Sequence, residues 1–436
     1  MKKIYLSIVA FIAVWGAFAQ SQPGPRNIKD YDPSVFIAGH KGDRAANDSL
    51  LIQEAVKHYF ETRMTGFQQS HLPQFVITGR NNKFLLGIGG FVNFRTAYDF
   101  NGIVDNTDFV TYDIPVPGTY ASRQKFRMDA STSRLFFKAI ANTKALGRVI
   151  TYIETDFRGD NHVLRLRYAY ISFKGWLFGQ NATTFCDLNA SPTTIDFEGP
   201  NAYTFGFNTM IRYTHAFNDR WSIGAALEMP QISATTTENL RTIPQRLPDL
   251  PVYVQLNWGE NGNSHLRASA VFRDLYYHSV SLDKNKSVFG WGTQLSTGIQ
   301  FLRKWNFYGQ ALYGKGITPY IQDIDGVGLD LVPDPRNNGK LQVLPMFGWF
   351  GALQYNFSKR VFCSAGYSQV RLFSENGYRN ANPDTYRLAK YVFANVFVNI
   401  TPSCQAAVEY LYGNRKNMNL EKNHANRIQA MIQYNF

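Results

Sequence analysis

Charge is scarce in this chain. Only 18% of its 436 residues are Asp, Glu, Lys or Arg, below the roughly 25% of an ordinary soluble domain. Cysteine is nearly absent: Cys186, Cys363 and Cys404 are the three, with no C-x-x-C among them. That excludes a disulfide-dense scaffold and a cysteine zinc cluster, and the three read as isolated small hydrophobes. Beyond the N-terminus no apolar run reaches the ~18 residues that a transmembrane helix needs. Mean hydropathy is negative, so a polytopic helical membrane protein is excluded. Catalytic signatures are also missing. The eight His are scattered, with no H-E-x-x-H, no paired metal spacing and no G-x-S-x-G. Gly87-Ile88-Gly89-Gly90 lacks a phosphate-loop continuation and reads as a flexible strand. The expectation is no enzyme, no metal and no cofactor.

Aromatics and glycine are what the chain has in excess: 25 Tyr, 34 Phe and 34 Gly, a composition for many strands with turns. Lys2 and Lys3, the apolar stretch from Ile4 to Val14, and Ala17-Phe18-Ala19 form a secretory signal peptide over residues 1–19. Residues 20–83 read as an N-terminal periplasmic extension. Within it Asp48 can cap a short helix to Met64, with Leu51, Ala55, Val56, Tyr59, Phe60 and Met64 on one face.

From residue 84 to 436 the chain becomes sixteen segments of period-2 alternation, from 85–98 to 425–436. An even count suits a closed bacterial barrel. Connections after even strands are short, as in Lys174-Gly175, Asn218-Asp219 and Ser358-Lys359. Those after odd strands are mostly long: 99–130, 183–207, 230–251, 274–287, 315–345, 373–387 and 413–424, with 158–162 the short exception. Short periplasmic turns alternating with long outer loops mark an outer-membrane barrel. The expected fold is therefore all-β, a transmembrane antiparallel β-barrel of sixteen strands. In the last strand Ile428, Ala430, Ile432, Tyr434 and Phe436 share one face, and Arg427, Gln429, Gln433 and Asn435 the other. A bilayer charges about 2–4 kcal/mol for an Arg at its midplane, so the polar face points inward.

That parity turns Arg95, Arg134, Lys138, Arg148, Arg165, Arg167, Arg212, Arg267, Arg273 and Arg427 to the lumen. The inward acids Glu154, Asp156, Glu228 and Glu409 are fewer. Such an excess concentrates anions along a narrow channel. Loop 183–207 carries Asp187, Asp196 and Glu198 and leaves a strand beside the basic wall. Spacing alone leaves open whether it folds inward as a constriction or outward. The expected partners are outer-membrane lipid and small anionic solutes, with no nucleic acid. The expected function is a passive channel. The alternative is a non-conducting structural or adhesive barrel whose long loops bind a partner.

The stretches FLLGIGGFVNFRTAYDF (84–100), GRVITYIETDFRG (147–159), LRLRYAYISF (164–173), LFGQNATTFCDL (177–188), TIDFEGPN (194–201) and IRYTHAF (211–217) occur in this order. The chain resembles the DcaP-like porins, outer-membrane channels of Gram-negative bacteria, over roughly residues 74–230. The resemblance implies sixteen strands, a homotrimer, a periplasmic extension with helical character and uptake of small, often anionic solutes. It also places Arg165 and Arg167 in the family's LRLR strand, and Asp196 and Glu198 in its DFEGP loop near the constriction.

Overall fold

A computed structural model describes residues 36–38, 75–78, 84–102, 107–259 and 262–436. The signal peptide and the expected helix at 48–64 lie outside the described residues.

Sixteen antiparallel strands form the wall. They are β1 (Phe84–Asn101), β2 (Arg134–Thr143), β3 (Gly147–Asp156), β4 (Arg165–Phe173), β5 (Trp176–Ala182), β6 (Phe207–Ala216), β7 (Trp221–Glu228) and β8 (Leu250–Trp258). Then follow β9 (Ser264–Ser279), β10 (Lys284–Phe301), β11 (Trp305–Lys315), β12 (Pro345–Asn356), β13 (Val361–Leu372), β14 (Tyr386–Asn399), β15 (Cys404–Asn417) and β16 (Lys422–Asn435). Each pairs with its successor, and β16 returns to β1 from Asn426↔Asn101 to Asn435↔Phe91, which closes the barrel. At this seam the Gly90 and Phe436 backbones exchange two hydrogen bonds of 3.0 Å. A Cβ on Gly90 would lie 2.2 Å from the Arg134 carbonyl oxygen and 3.0 Å from the Phe436 ring, so this position requires glycine. Strand 75–78 pairs antiparallel with β1, Phe75 with Ile88, and so continues the line of β16 beyond the C-terminus.

Alternation decides which face meets lipid. Val92, Phe94, Leu135, Phe137, Ile153, Ile211, Leu227, Leu295, Val408 and Ile432 are all exposed on the outside. Their neighbours one residue away, such as Asn93, Arg134, Glu154, Gln294 and Glu409, are buried inside. An apolar exterior over a polar interior inverts a soluble barrel and suits a bilayer, where every backbone group must be paired within the wall. Around the short turns aromatic rings cluster: Phe173 stacks on Phe178 at 5.8 Å, Trp176 lies 4.8 Å from Tyr213, and Trp305 lies 4.7 Å from Tyr355. They are placed as an interfacial belt.

Two connections differ from expectation. The loops expected over 274–287 and 413–424 are tight turns, because β9 and β10 run to Ser279 and Lys284, and β15 and β16 to Asn417 and Lys422. Above the bilayer a strand needs no apolar face. The polar run Asp283-Lys284-Asn285-Lys286 therefore hides a tall hairpin.

Three of the genuinely long loops fold into the barrel. Segment 107–114 sets Phe109 and Ile114 against Tyr391, Phe393, Leu411 and Ala425. Gly413 makes room for it, since a Cβ there would meet the Phe109 ring at 2.8 Å. Segment 317–332 buries Ile317, Ile321, Ile324, Leu329 and Val332 with Phe185, Val271, Met346 and Val370. The third is the loop between β5 and β6. A water-filled lumen would have no use for these aliphatics. Here they give half of the lumen an apolar packing against strands β9–β16.

Cysteines introduced at Glu238 and Asn337, both exposed on outer loops, should react with an impermeant maleimide on intact cells. Cysteines at Asn218 and Lys359 on the short turns should not; the reverse pattern would invert the topology. Deleting residues 20–70 should leave an inserted barrel, because all of β1–β16 lie after that stretch and strand Phe36–Ala38 within it pairs with strand 75–78 and not with the closed wall. Loss of insertion would place part of 20–70 in the barrel itself.

Candidate functional site

The loop between β5 and β6, residues 183–206, crosses the lumen. Two inward carboxylates of the wall hold it. At its start Glu228, on β7, accepts hydrogen bonds from Thr183 Oγ1 at 2.6 Å, the Thr184 N–H at 2.6 Å and Asn208 Nδ2 at 2.8 Å. At its middle Glu409, on β15, accepts from the Ile195 and Asp196 N–H groups at 3.1 and 2.8 Å, and from Asn395 and Gln429, each at 2.8 Å. The return leg bonds to the far wall: the Ala202 N–H donates to Ser368 Oγ at 3.0 Å, and Thr204 Oγ1 donates to Gln294 at 2.7 Å. The question left open by spacing is answered: the loop folds inward.

Each loop acid then has a specific seat. Asp187 Oδ2 lies 2.8 Å from His265 Nε2 on β9 and accepts from Ser296 Oγ on β10 at 2.6 Å. Burial alone would raise its pKa, but the His265 bond and the Arg267 charge hold it below the ordinary carboxylate value. Asp196 accepts from the Phe109 N–H at 3.1 Å and from Tyr391 Oη at 2.9 Å. Burial, with Asp108 nearby, pushes its pKa up. Glu198 is 5% exposed, and neither of its carboxylate oxygens has a hydrogen-bond partner. Burial first, then the neighbouring Asp323, Asp196, Asp108 and Asp113, raise its pKa well above the usual range. Burial without a donor favours the protonated form of such a group.

Alternation along the loop therefore separates the acids from the basic wall. The residue that faces the arginines is Phe197, whose ring lies 4.4 Å from the Arg158 guanidinium, 5.4 Å from that of Arg167, 5.7 Å from Arg165 and 6.0 Å from Arg134. The arginines themselves are paired within the wall. Arg167 donates to Glu154 at 2.7 Å and to Asp156 at 3.0 Å, and is 1% exposed. Arg165 donates to Asp156 at 2.6 and 3.0 Å, with its side chain 36% exposed. Arg134 lies 3.5 Å from Glu154, and Tyr152 Oη donates to the same carboxylate at 2.6 Å. Glu154 and Asp156, expected as lumen acids, neutralise the LRLR strand locally.

Three more expected lumen cations are structural pins. Arg273 binds Asp249 at 2.9 Å, Asp330 at 2.9 Å and the Gly316 carbonyl at 2.6 Å, which ties two loops to β9. Burial raises the Asp330 pKa to about 7 against the opposing pull of Arg273. Arg427 grips Asp99 at 2.6 and 3.0 Å and the Thr107 carbonyl at 2.8 Å. Arg95 pairs with Asp129 at 2.9 Å. Lys138 is buried on the inner face of β2.

Below the loop, toward the short turns, lies a cavity of about 500 Å³ whose lining includes Arg148, Arg212, Arg267, Tyr170, Asn181 and Tyr253. Arg212 donates to the Ala182 carbonyl at 3.3 Å and Arg267 to the Thr184 carbonyl at 2.8 Å. The Arg267 guanidinium stacks 3.6 Å over the Tyr253 ring. Among the described residues, neither Arg212 nor Arg267 has a carboxylate in salt-bridge range. Backbone carbonyls orient them, and the carboxylates of Asp187 and Glu228 act on them from beyond salt-bridge range. Sequence reasoning named both but ranked them with the paired arginines. Parity reports only facing, and pairing depends on which strands become neighbours.

With this geometry in place, part of the chain is found to be similar to a known family. Residues 80–251 match the family described as DcaP outer membrane protein. The resemblance read from the sequence is to this same family. The fold is similar to that of the outer membrane channel DcaP of Acinetobacter baumannii, with TM-score 0.71 and 21% identity over 82% of this chain and 99% of that one. It is also similar to an anion-selective porin from Comamonas acidovorans, with TM-score 0.52 and 11% identity over 81% of this chain and 100% of that one. The outer-membrane protein OmpT of Vibrio cholerae aligns with TM-score 0.51 and 13% identity over 82% of this chain and 100% of that one. No curated protein matches the chain by sequence.

The seat of the loop can be tested directly. Glu409→Ala strands two buried N–H groups, each costing about 1–3 kcal/mol when left unpaired. Amide exchange over 189–203 should speed up at least about tenfold, 1.4 kcal/mol being a factor of ten, while β2–β7 stay protected. Glu198 gives the pH dependence. A carboxyl with a raised folded-state pKa contributes stability that is full at acid pH and is lost as pH rises through that pKa. After correction for intrinsic rates, exchange of the loop should therefore accelerate as pH rises above the ordinary carboxylate range. Glu198→Gln should flatten that rise.

Proposed function

We propose that this chain is an outer-membrane porin, a passive diffusion channel for small hydrophilic solutes with a preference for anions, working as a homotrimer. The observation that carries the reading is the pairing of a polar, loop-narrowed lumen with Arg212 and Arg267, two cations that line a cavity and, among the described residues, have no carboxylate in salt-bridge range. The DcaP match supports the channel. The trimer rests on the resemblance and on a trimeric form among the OmpT structures. The anion preference rests on the arginines, and the Comamonas porin is described as anion-selective.

A permeating carboxylate exchanges its water for guanidinium donors. At an effective dielectric of about 20 a charge pair at 4 Å is worth about 4 kcal/mol before desolvation is subtracted. Lost hydration cancels most of that, so the cavity attracts without trapping, as conduction requires. The stacking of Arg267 on Tyr253 keeps its charge in place, because the ring occupies one face of the guanidinium and leaves its edge to the solute.

In planar bilayers under a salt gradient the wild-type reversal potential should lie on the anion side. Arg212→Gln with Arg267→Gln should move it toward the cation side, and the difference should shrink near about 1 M salt, where the Debye length is ~3 Å. A cation-selective wild type, or an unmoved double variant, would overturn the assignment.

A further inference from the structure

On the extracellular side of β13–β16 the outward-facing cross-strand rows change character within two pleats. The lowest row is Tyr367, Val392, Tyr412 and Asn426, each paired with the next. The row above is Gln369, Lys390, Asn414 and His424, and the one above that Arg371, Leu388, Lys416 and Lys422. These residues share the parity of the exposed Val396, Val408, Tyr410 and Ile428, so they look away from the lumen. None of the three rows contains a carboxylate. The bulge between Tyr386 and Leu388 adds Arg387, whose charged neighbours are Arg379 and Arg371. Arg379, on the one-turn helix α1 (Tyr378–Ala381), donates to the Met418 carbonyl at 2.8 Å. The Arg371 guanidinium lies 4.6 Å over the Phe373 ring.

Like charges on adjacent strands repel, and elsewhere this wall cancels them. On the rim near β9, Arg246 binds Asp274 at 2.6 Å. The nearby Glu375 is taken by Lys315 at 2.7 Å. Among the described residues, Arg371, Arg387, Lys390, Lys416 and Lys422 have no acidic partner. They sit directly above tyrosines placed as an interfacial girdle, which is the level of lipid headgroups.

We propose that this rim binds the phosphorylated headgroup of an outer-leaflet glycolipid. Arg371, Arg387, Lys390 and Lys416 hold its phosphates, and Tyr367, Val392 and Tyr412 meet its acyl chains. Guanidinium groups pair with phosphate in a fork, which the exposed edges of Arg371 and Arg387 allow. The inference goes beyond the channel reading and shares with it only that the outward face meets a membrane.

The test is native mass spectrometry of the full-length detergent-solubilised protein with bisphosphorylated lipid A, dephosphorylated lipid A, phosphatidylglycerol or inorganic phosphate. Bisphosphorylated lipid A should be retained over the other three. Its affinity should fall at least about tenfold in Arg371→Gln/Arg387→Gln/Lys390→Gln/Lys416→Gln, as expected for lost charge-assisted contacts, and stay unchanged in Arg246→Gln. Equal retention by the quadruple variant, equal binding of dephosphorylated lipid A, or displacement by inorganic phosphate at similar concentration would overturn the proposal. Should the variant not fold, the wild type decides: raising NaCl from about 0.1 to about 1 M should release the lipid through screening, and salt-independent retention would contradict the site. Unaltered conductance of the variant would leave the channel reading standing whichever way the lipid result falls.

Discussion

Everything inside this barrel depends on how two wall carboxylates meet the backbone of one loop. Glu228 and Glu409 each face the lumen, and each is saturated by loop N–H groups or wall amides. Removing a carboxylate from water is expensive unless several donors replace the solvent, and the loop supplies those donors only when it lies across the lumen. The clamp therefore fixes where Asp187, Phe197 and Glu198 stand. It also sets the roof of the cavity that Arg212 and Arg267 line.

The same accounting explains why so many inward arginines are not free. A buried guanidinium needs acceptors, and Arg167 finds them in carboxylates while Arg273 and Arg427 use carboxylates and backbone carbonyls. Those residues knit loops to wall. On the proposed function, what remains for solutes is the subset held by neutral carbonyls. Function in such a lumen lies in the charges left over after the structure has used the rest, and net charge is a poor guide to them.

Period-2 alternation and connection parity made the barrel, its sixteen strands and its closure legible in the sequence, because facing and turn length are local properties. The tall hairpins at 264–301 and 404–435 were not, since beyond the bilayer a strand loses its apolar face and reads like a loop. The inward course of segments 107–114 and 317–332 was written in aliphatics such as Ile317, Ile321 and Ile324. Period alone assigns no partner to them. Alternation reports only the face of a lumen residue and not its partner: Arg165 meets Asp156 through a strand pairing that no single segment encodes.

The central claim is that the loop narrows this lumen without sealing it. Single-channel recording of the wild-type protein in planar bilayers tests it most directly. The account predicts discrete, stable conductance steps, and larger steps once Glu409→Ala releases the loop. Inserted protein that passes no current, or steps of unchanged size after that release, would contradict it.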